Sequence, residues 1–375
     1  MKTINGEYSK MKDEVVGRLI SHRLPLKNRN GMILVTDRVK LSDVGYAGII
    51  STTESSNLIA PSYAYFPDFS SEVFNEGDVV SITPSAQINF LWEVDQQNNV
   101  LFLTEACNCR CLMCPQPPQA HNPRLIKTAK QVLNLAPESY EGEICITGGE
   151  PTLCGGDFLE ILRSCREKYP SAKIIVLTNG KTFSDFDFAK SVAELNTGAL
   201  FAVSLHADID SLHDLIVGSE NSFQKTQSGL YNLARLCLPV EIRIVVSRIN
   251  YSRLRSLAEY IFRNYPFSFH VAFMALEVTG LAVSNFERVW IDPVDYKMEL
   301  EAALHELNRR GMRVSAYNHP LCLIHKRAWR YARKSISAWK NSYLPKCSSC
   351  SVLQQCCGVF TTSGESLSSN IKPIC

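Results

Sequence analysis

Four cysteines, Cys107, Cys109, Cys111 and Cys114, fall within eight residues of the stretch Thr104-Glu-Ala-Cys-Asn-Cys-Arg-Cys-Leu-Met-Cys-Pro-Gln-Pro-Pro118. Cys107, Cys111 and Cys114 read as C-x3-C-x2-C, with Cys109 left between them. The apolar run Val100–Leu103 directly precedes them, the layout of a strand that delivers a loop of soft ligands. Three thiolates can hold three corners of a [4Fe–4S] cube and leave the fourth iron open to a small chelating ligand. Zinc sites usually set two C-x2-C knuckles further apart.

A second group lies near the end of the sequence: Cys347-Ser-Ser-Cys350, then Cys356-Cys357, with Cys375 last and Cys322 upstream. C-x2-C-x5-C with a distant partner fits a second metal site made by Cys347, Cys350, Cys356 and one of Cys322, Cys357 or Cys375. A structural zinc knuckle is the alternative. Chain ends usually fray, and ligation would pin Cys375. Cys145, Cys154, Cys165 and Cys237 sit in strand or helix contexts and read as buried apolar thiols. His206 and His213 read as satisfied surface histidines rather than as an acid and a base.

The bulk properties set limits on function. At 375 residues the chain can bury a large core in more than one unit. A net charge of +2 gives no global basic field for nucleic acid. No apolar run is long enough for a membrane span. The N-terminus, Met1-Lys-Thr-Ile-Asn-Gly-Glu7, has no apolar signal region. Fourteen cysteines without a signal point to a reducing, cytoplasmic setting and to metal ligation.

The elements that would position these residues differ along the chain. Residues 1–95 hold β-rich runs at Gly31–Thr36, Ala47–Ser51, Asp78–Thr83 and Ile88–Trp92, separated by turn residues, as in a small sandwich or barrel. This is expected to be a separate all-β domain, either a docking module for a polypeptide or a structural cap. From residue 96 to 285 strand-like runs alternate with helical ones. Strands are expected at Val100–Leu103, Glu143–Thr147, Lys173–Thr178, Ala199–Leu205, Val240–Val246 and Ser268–Phe273. Helices are expected near Lys127–Leu135, Asp157–Tyr169, Ser184–Leu195, Phe223–Leu236 and Tyr251–Tyr265. Six such alternations imply a parallel sheet with right-handed crossovers, short of a closed eight-stranded barrel. Residues 286–345 read as helical, with Asp292–Arg310 stopped by Gly311. Lys326, Arg327, Arg330, Arg333, Lys334 and Lys340, interleaved with Trp329, Tyr331 and Trp339, read as a solvated helix face or, alternatively, an anion-binding one.

In an α/β sheet, polar residues at the C-terminal strand ends build the site. The cysteine loop follows the first strand, Thr147-Gly-Gly-Glu-Pro-Thr152 the second, and Thr178-Asn-Gly180 the third; Ser204 ends the fourth and Arg243 lies in the fifth.

C-x3-C-x2-C after a first strand, followed by Gly148-Gly-Glu-Pro151, resembles the radical SAM superfamily. The wording Thr-Glu-x-Cys…Cys-Leu-Met-Cys-x-Gln-Pro-Pro is similar to the His-Xaa-Ser system radical SAM maturases of the C type. The terminal cysteines resemble the auxiliary-cluster region (SPASM or twitch type) of peptide-modifying members. The resemblance implies an α/β fold with an open, partial (β/α)6 TIM barrel over 96–285, an N-terminal β domain over 1–95 and an auxiliary-cluster region within 286–375. It implies S-adenosylmethionine chelated to a cluster on Cys107, Cys111 and Cys114 and cleaved to a 5′-deoxyadenosyl radical. Gly148 and Gly149 would let the backbone approach the methionine part, and Glu150 would accept from its ammonium. Asn179 and Ser204 would meet the ribose, Arg243 the methionine carboxylate. Met113 stands where an aromatic is frequent and would pack on adenine, as would the backbone of Glu277–Ala282. An auxiliary cluster would use Cys347, Cys350 and Cys356 with Cys322 or Cys375. The implied partners are a ribosomally made precursor peptide, an electron donor such as flavodoxin or ferredoxin, and a partner maturase, with no membrane or nucleic acid. An enzyme acting on RNA or a small molecule, and a non-enzymatic iron–sulfur or zinc scaffold, are the alternatives.

Overall fold

The structure, a computed structural model, describes residues 2–54, 63–70, 72–335, 340–363 and 367–375; Trp339 of the basic stretch lies outside them. By compactness the chain divides into two units: Met1–Leu103, Pro123–Ile146 and Glu160–Ile174; and Thr104–Asn122, Thr147–Leu159 and Ile175–Cys375.

The N-terminal residues of the first unit form eight strands: β1 (Thr3–Asn5), β2 (Tyr8–Ser9), β3 (Val15–Ile20), β4 (Met32–Thr36), β5 (Gly48–Ser51), β6 (Tyr63–Tyr65), β7 (Val79–Ile82) and β8 (Gln87–Trp92). The all-β expectation holds, but these strands make one mixed sheet, ordered β1-β8-β7-β3-β4-β5-β6-β2. β3 to β6 pair in parallel, while β7, β8, β1 and β2 pair antiparallel. The physical reason lies in the strand sequences. Met-Ile-Leu-Val and Gly-Ile-Ile are continuously apolar rather than alternating, as strands buried on both faces require. Ile20, Leu34, Ile49 and Tyr63 align in register on one face and pack together. Leu19 and Ile33, then Val35, Ile50 and Ala64, align on the other with Phe66, Phe69 and Phe90.

The remaining strands and helices alternate: β9 (Asn98–Phe102), α1 (Pro123–Leu135), β10 (Glu143–Thr147), α2 (Gly156–Lys168), β11 (Lys173–Thr178), α3 (Phe186–Glu194), β12 (Leu200–Ser204), α4 (Asp210–Val217), α5 (Ser222–Arg235), β13 (Val240–Val245), α6 (Leu254–Asn264), β14 (His270–Met274), α7 (Leu281–Ser284), α8 (Phe286–Val289), α9 (Lys297–Arg309), β15 (Val314–Tyr317) and β16 (Ala332–Arg333). The sheet runs β16-β15-β14-β13-β12-β11-β10-β9, the strands in sequence order, and β11 through β16 pair in parallel. All six expected strands and five expected helices are present; α4 and the one-turn α7 are additional.

Two features differ from the expectation. The sheet has eight strands rather than six, because β15 and β16 extend it. The segment 286–345 is therefore not simply helical: α9 ends before Gly311, whose φ of +79° turns the chain into β15. The basic stretch forms a short 3-10 turn, Lys326–Tyr331, and then β16, not an α-helical face. A last pair, β17 (Asn341–Ser342) and β18 (Val359–Phe360), is antiparallel. No helix among the described residues is long and apolar enough to cross a membrane.

Candidate metal centre

The loop after β9 belongs to the second unit and is held there by backbone contacts from four directions. Gly149 N–H donates to Thr104 O at 2.6 Å and Glu150 N–H to Ala106 O at 2.8 Å. Arg110 and Leu112 donate their N–H groups to Val217 O and Ile216 O, both at 2.9 Å, at the end of α4. Leu281 N–H reaches Cys114 O at 2.8 Å, and Asn285 Nδ2 reaches Leu112 O at 3.0 Å. Lys181 Nζ, after β11, donates to Asn108 O at 3.0 Å.

Glycines make these approaches possible. A Cβ on Gly148 would stand 2.5 Å from Thr104 O, and one on Gly149 2.3 Å from Ala106 O. On Gly218 it would stand 2.4 Å from Arg110 O, and on Gly280 2.5 Å from both Cys114 O and Pro115 O. These distances lie inside any carbon–oxygen contact, so only glycine fits. Gly218 and Gly280 also have φ of +59° and +57°, which an L side chain resists. The Cβ directions of Gly148 and Gly149 are thus filled by the cysteine loop itself.

Within the loop, Cys107, Cys111 and Cys114 are half-buried and Cys109 is buried. Cys109 Sγ lies 3.8 Å from Ser222 Oγ, 3.6 Å from Asn179 Nδ2 and 3.7 Å from Lys181 Nζ. A hydrogen bond shared by Cys107 and Cys109 raises the first thiol well above the ordinary range and lowers the second to about 6, with Lys181 also favouring the Cys109 thiolate. Burial pushes Cys111 up to about 12 and raises Cys114. Such thiols give up their protons to a cation, so binding is coupled to proton release.

Glu150 is fully buried. Its Oε1 accepts from Thr152 N at 3.2 Å, Thr152 Oγ1 at 2.7 Å and Thr178 Oγ1 at 2.8 Å; its Oε2 accepts from Asn179 N at 2.7 Å. Burial raises its pKa against the pull of these donors. Asn179 continues the chain of contacts to the loop, its Nδ2 donating to Asn108 Oδ1 at 2.6 Å. Met113 is buried with Ile216, Leu276, Ala282 and Val289. Ser204 ends β12 half-buried, in register with Arg243. Arg243 is ion-paired with Glu241. His206 and His213 are buried, not at the surface. His206 Nδ1 accepts from Val245 N and His213 Nδ1 from His206 N, and burial lowers their pKa values to about 3 and 4. Cys165 is buried as expected, but Cys237 is exposed at φ +55°, where the chain leaves α5.

The terminal cysteines gather separately. Cys322, Cys347, Cys350 and Cys356 line one hollow of about 20 Å³, which is water-sized. Leu321 N–H and Gly358 N–H point at Cys356 Sγ, each at 3.4 Å, and Ile374 N–H at Cys350 Sγ at 3.5 Å. The Cys357 thiol's hydrogen bond, with these backbone donors, lowers Cys356 to about 6. Cys375 does not line the hollow and is exposed. The tail is held one residue earlier, by Ser351 N and Oγ donating to Ile374 O at 2.8 Å, so its order does not require ligation by Cys375.

Among the described residues no three His, Cys, Asp or Glu side chains converge as ligands of a single metal ion would. A cube places each cysteine on a separate iron, and the soft donors of the 107–114 loop suit it. The terminal hollow, at about 20 Å³, is smaller than such a cube. Sequence reasoning missed Lys181, Gly218 and Asn285, and it singled out the stretch around Gly280 only for a backbone contact to adenine. Lys181 directly follows the Thr178-Asn-Gly180 motif, and both glycines close or precede short helices.

Residues 101–261 match the model of the Radical SAM superfamily. No curated protein matches the chain. Among solved structures it is similar to SuiB of Streptococcus suis bound to S-adenosylmethionine, with 17% identity, a TM-score of 0.46, and coverage of 60% of this chain and 51% of that one. It is also similar to anSMEcpe with bound AdoMet and Cp18Cys peptide, with 21% identity, TM-score 0.46 and coverage of 58% and 62%. A radical SAM methyltransferase from Sphaerobacter thermophilus gives 14% identity, TM-score 0.45 and coverage of 66% and 74%. The chain spans about half the length of the SuiB structure.

Proposed function

We propose that the chain is a radical SAM enzyme that modifies a ribosomally synthesised peptide, in the manner of the His-Xaa-Ser maturases. One observation supports it most. The C-x3-C-x2-C loop lies inside the radical SAM segment and is clamped by glycines from the strand-end loops, so its three ligand cysteines are held on a rigid frame. A [4Fe–4S] cluster there would bind S-adenosylmethionine at its open iron and supply the electron that yields a 5′-deoxyadenosyl radical.

Cys107, Cys111 and Cys114 would hold that cluster, and buried Cys109 would stay a spectator. Glu150 Oε2, which takes one donor in the structure, has a lone pair left for the methionine ammonium. Asn179 and Ser204 would meet the ribose, Met113 would close the apolar side, and Gly148–Gly149 would bring the backbone up to the methionine part. Arg243 would meet the methionine carboxylate only by sharing its guanidinium with Glu241. Residues 1–95 would serve as the β-rich docking domain, 96–285 as the partial-barrel core and 286–375 as the auxiliary region. There Cys347, Cys350, Cys356 and Cys322 would hold an auxiliary cluster, with a structural zinc knuckle as the alternative. A cytoplasmic setting, an electron donor of the flavodoxin or ferredoxin kind and a partner maturase complete the proposal.

The RNA alternative rested on the basic stretch, where Lys340 pairs with Glu277 at 2.6 Å and Arg327 lies 3.9 Å from Glu301. Anaerobic reconstitution with iron and sulfide, followed by reduction in the presence of S-adenosylmethionine, tests the proposal. 5′-Deoxyadenosine is the expected product; its absence from a protein loaded with cluster overturns the reading. Capture of a short His/Ser-rich peptide over RNA is the expected preference.

A further inference from the structure

The strands of the second unit have two unlike faces. Phe201, Val203, Ile242, Ile244, Val271, Phe273 and Ala316 are fully buried. Their neighbours point the other way, and Ser204, Arg243, Val245, His270, Met274 and Tyr317 are only half-buried. On this second face the register sets Ala202 beside Glu241, Glu241 beside His270, and Ala272 between Arg243 and Ser315. Glu241, Arg243, His270 and Ser315 therefore share one patch on three adjacent strands.

They form a continuous chain of bonds. Arg243 Nε pairs with Glu241 Oε1. Glu241 Oε2 lies 2.8 Å from His270 Nδ1, and His270 Nε2 lies 3.0 Å from Ser315 Oγ. A carboxylate accepts only, so Nδ1 carries a proton, and in the neutral ring Nε2 accepts from the Ser315 hydroxyl. Burial disfavours the Glu241 charge, but His270 and Arg243 outweigh it and hold its pKa near 2. A permanent carboxylate behind an imidazole orients the ring and stabilises it when protonated. A packed sheet interior needs no such group, since apolar side chains would fill the same face without the cost of burying charge. Neither the cluster loop nor the terminal cysteines touch it by any bond described above.

We infer that His270 is a proton acceptor for a molecule lying on this face, with Ser315 as its hydroxyl partner and Glu241 and Arg243 as positioning residues. The molecule would present a hydroxyl or thiol. Its O–H or S–H proton passes to His270 Nε2, directly or through Ser315, while the bonding electron pair stays on the oxygen or sulfur. The imidazolium formed is neutralised by Glu241. The step needs no oxidant and no metal; it shares Arg243 with the S-adenosylmethionine site proposed above but draws nothing from the radical chemistry.

Two measurements on the reconstituted protein test it. The first is the imidazole nitrogen spectrum of the ¹⁵N-histidine-labelled chain, with His270 assigned by its loss in His270→Gln. In its neutral form the ring is expected to carry its proton on Nδ1; a neutral ring protonated on Nε2 would overturn the inference. The second is carbethoxylation by diethyl pyrocarbonate, which attacks a free ring nitrogen, read by peptide mass spectrometry. His270 is expected to react in the wild type, about two- to tenfold faster in Ser315→Ala, where one hydrogen bond to Nε2 is gone, and more slowly in Glu241→Gln. A His270 that stays unmodified in both wild type and Ser315→Ala, while exposed His22 reacts, would overturn it. 5′-Deoxyadenosine formation by the wild type is scored separately, so failure of either proposal is recognised by itself.

Discussion

Cys107, Cys111 and Cys114 share a loop with a fourth cysteine, yet their surroundings separate the roles. Cys109 is buried among Ser222, Asn179 and Lys181, whereas the other three keep part of their surface. Cys107→Ala, Cys111→Ala and Cys114→Ala are each expected to lose about four irons per chain, one cube, together with 5′-deoxyadenosine formation. Cys109→Ala is expected to retain both, and loss of iron in that variant alone would reverse the ligand assignment. Glu150 carries a second prediction. Its carboxylate is the shared acceptor for Thr152, Thr178 and Asn179 N–H, so Glu150→Ala strands buried donors. A loss of about 1–3 kcal/mol in denaturant unfolding is expected, with S-adenosylmethionine binding about one to two orders of magnitude weaker. Lower stability with unchanged binding would leave Glu150 a positioning residue only.

At the scale of elements, the loop has no regular structure of its own and borrows its shape from the ends of β10, β11 and α4 and from the two ends of α7. Glycine is the common means. A Cβ at Gly149 would stand 2.3 Å from Ala106 O, a backbone atom that can move only with the whole loop, whereas a Cβ at Gly156, the first residue of α2, meets nothing within 4 Å. Gly149→Ala is therefore expected to lower both iron loading and melting temperature. Gly156→Ala is expected to leave iron loading intact and to stabilise by about 0.5–1 kcal/mol. Paired melting curves and iron assays check this; equal behaviour of the two variants would mean that the glycine clamp does not set the loop.

At the scale of the whole molecule, the question is how many metal groups one chain carries. Two separate sulfur groups, one on the 107–114 loop and one around the hollow of Cys322, Cys347, Cys350 and Cys356, predict about eight irons after reconstitution, four per cube. Cys322→Ala is expected to lose about half of that iron and Cys375→Ala none, since Cys375 is exposed and outside the hollow. Metal analysis finding one zinc and about four irons would instead make the terminal group a structural knuckle, with the 107–114 cluster intact.

The cysteine spacing, the Gly148-Gly-Glu-Pro151 motif and the six strand-like runs were legible in the amino-acid order because each is local. Ligand spacing within eight residues, a turn before a proline and a run of β-branched residues all act over a few neighbours in the chain. The short strands β15 and β16 were not legible, since two to four residues become a strand only when a neighbour such as β14 offers its edge. The single mixed sheet of β1–β8 was hidden for a similar reason. Apolar runs announce burial on both faces but not which strand lies alongside. Tertiary structure alone decided that Cys322 rather than Cys375 completes the terminal hollow, and that His206 and His213 are interior. It alone joined Glu241, Arg243, His270 and Ser315, residues up to 74 positions apart, into one patch. Long-range register sets such meetings, and the period of two along each strand fixes which face each side chain takes.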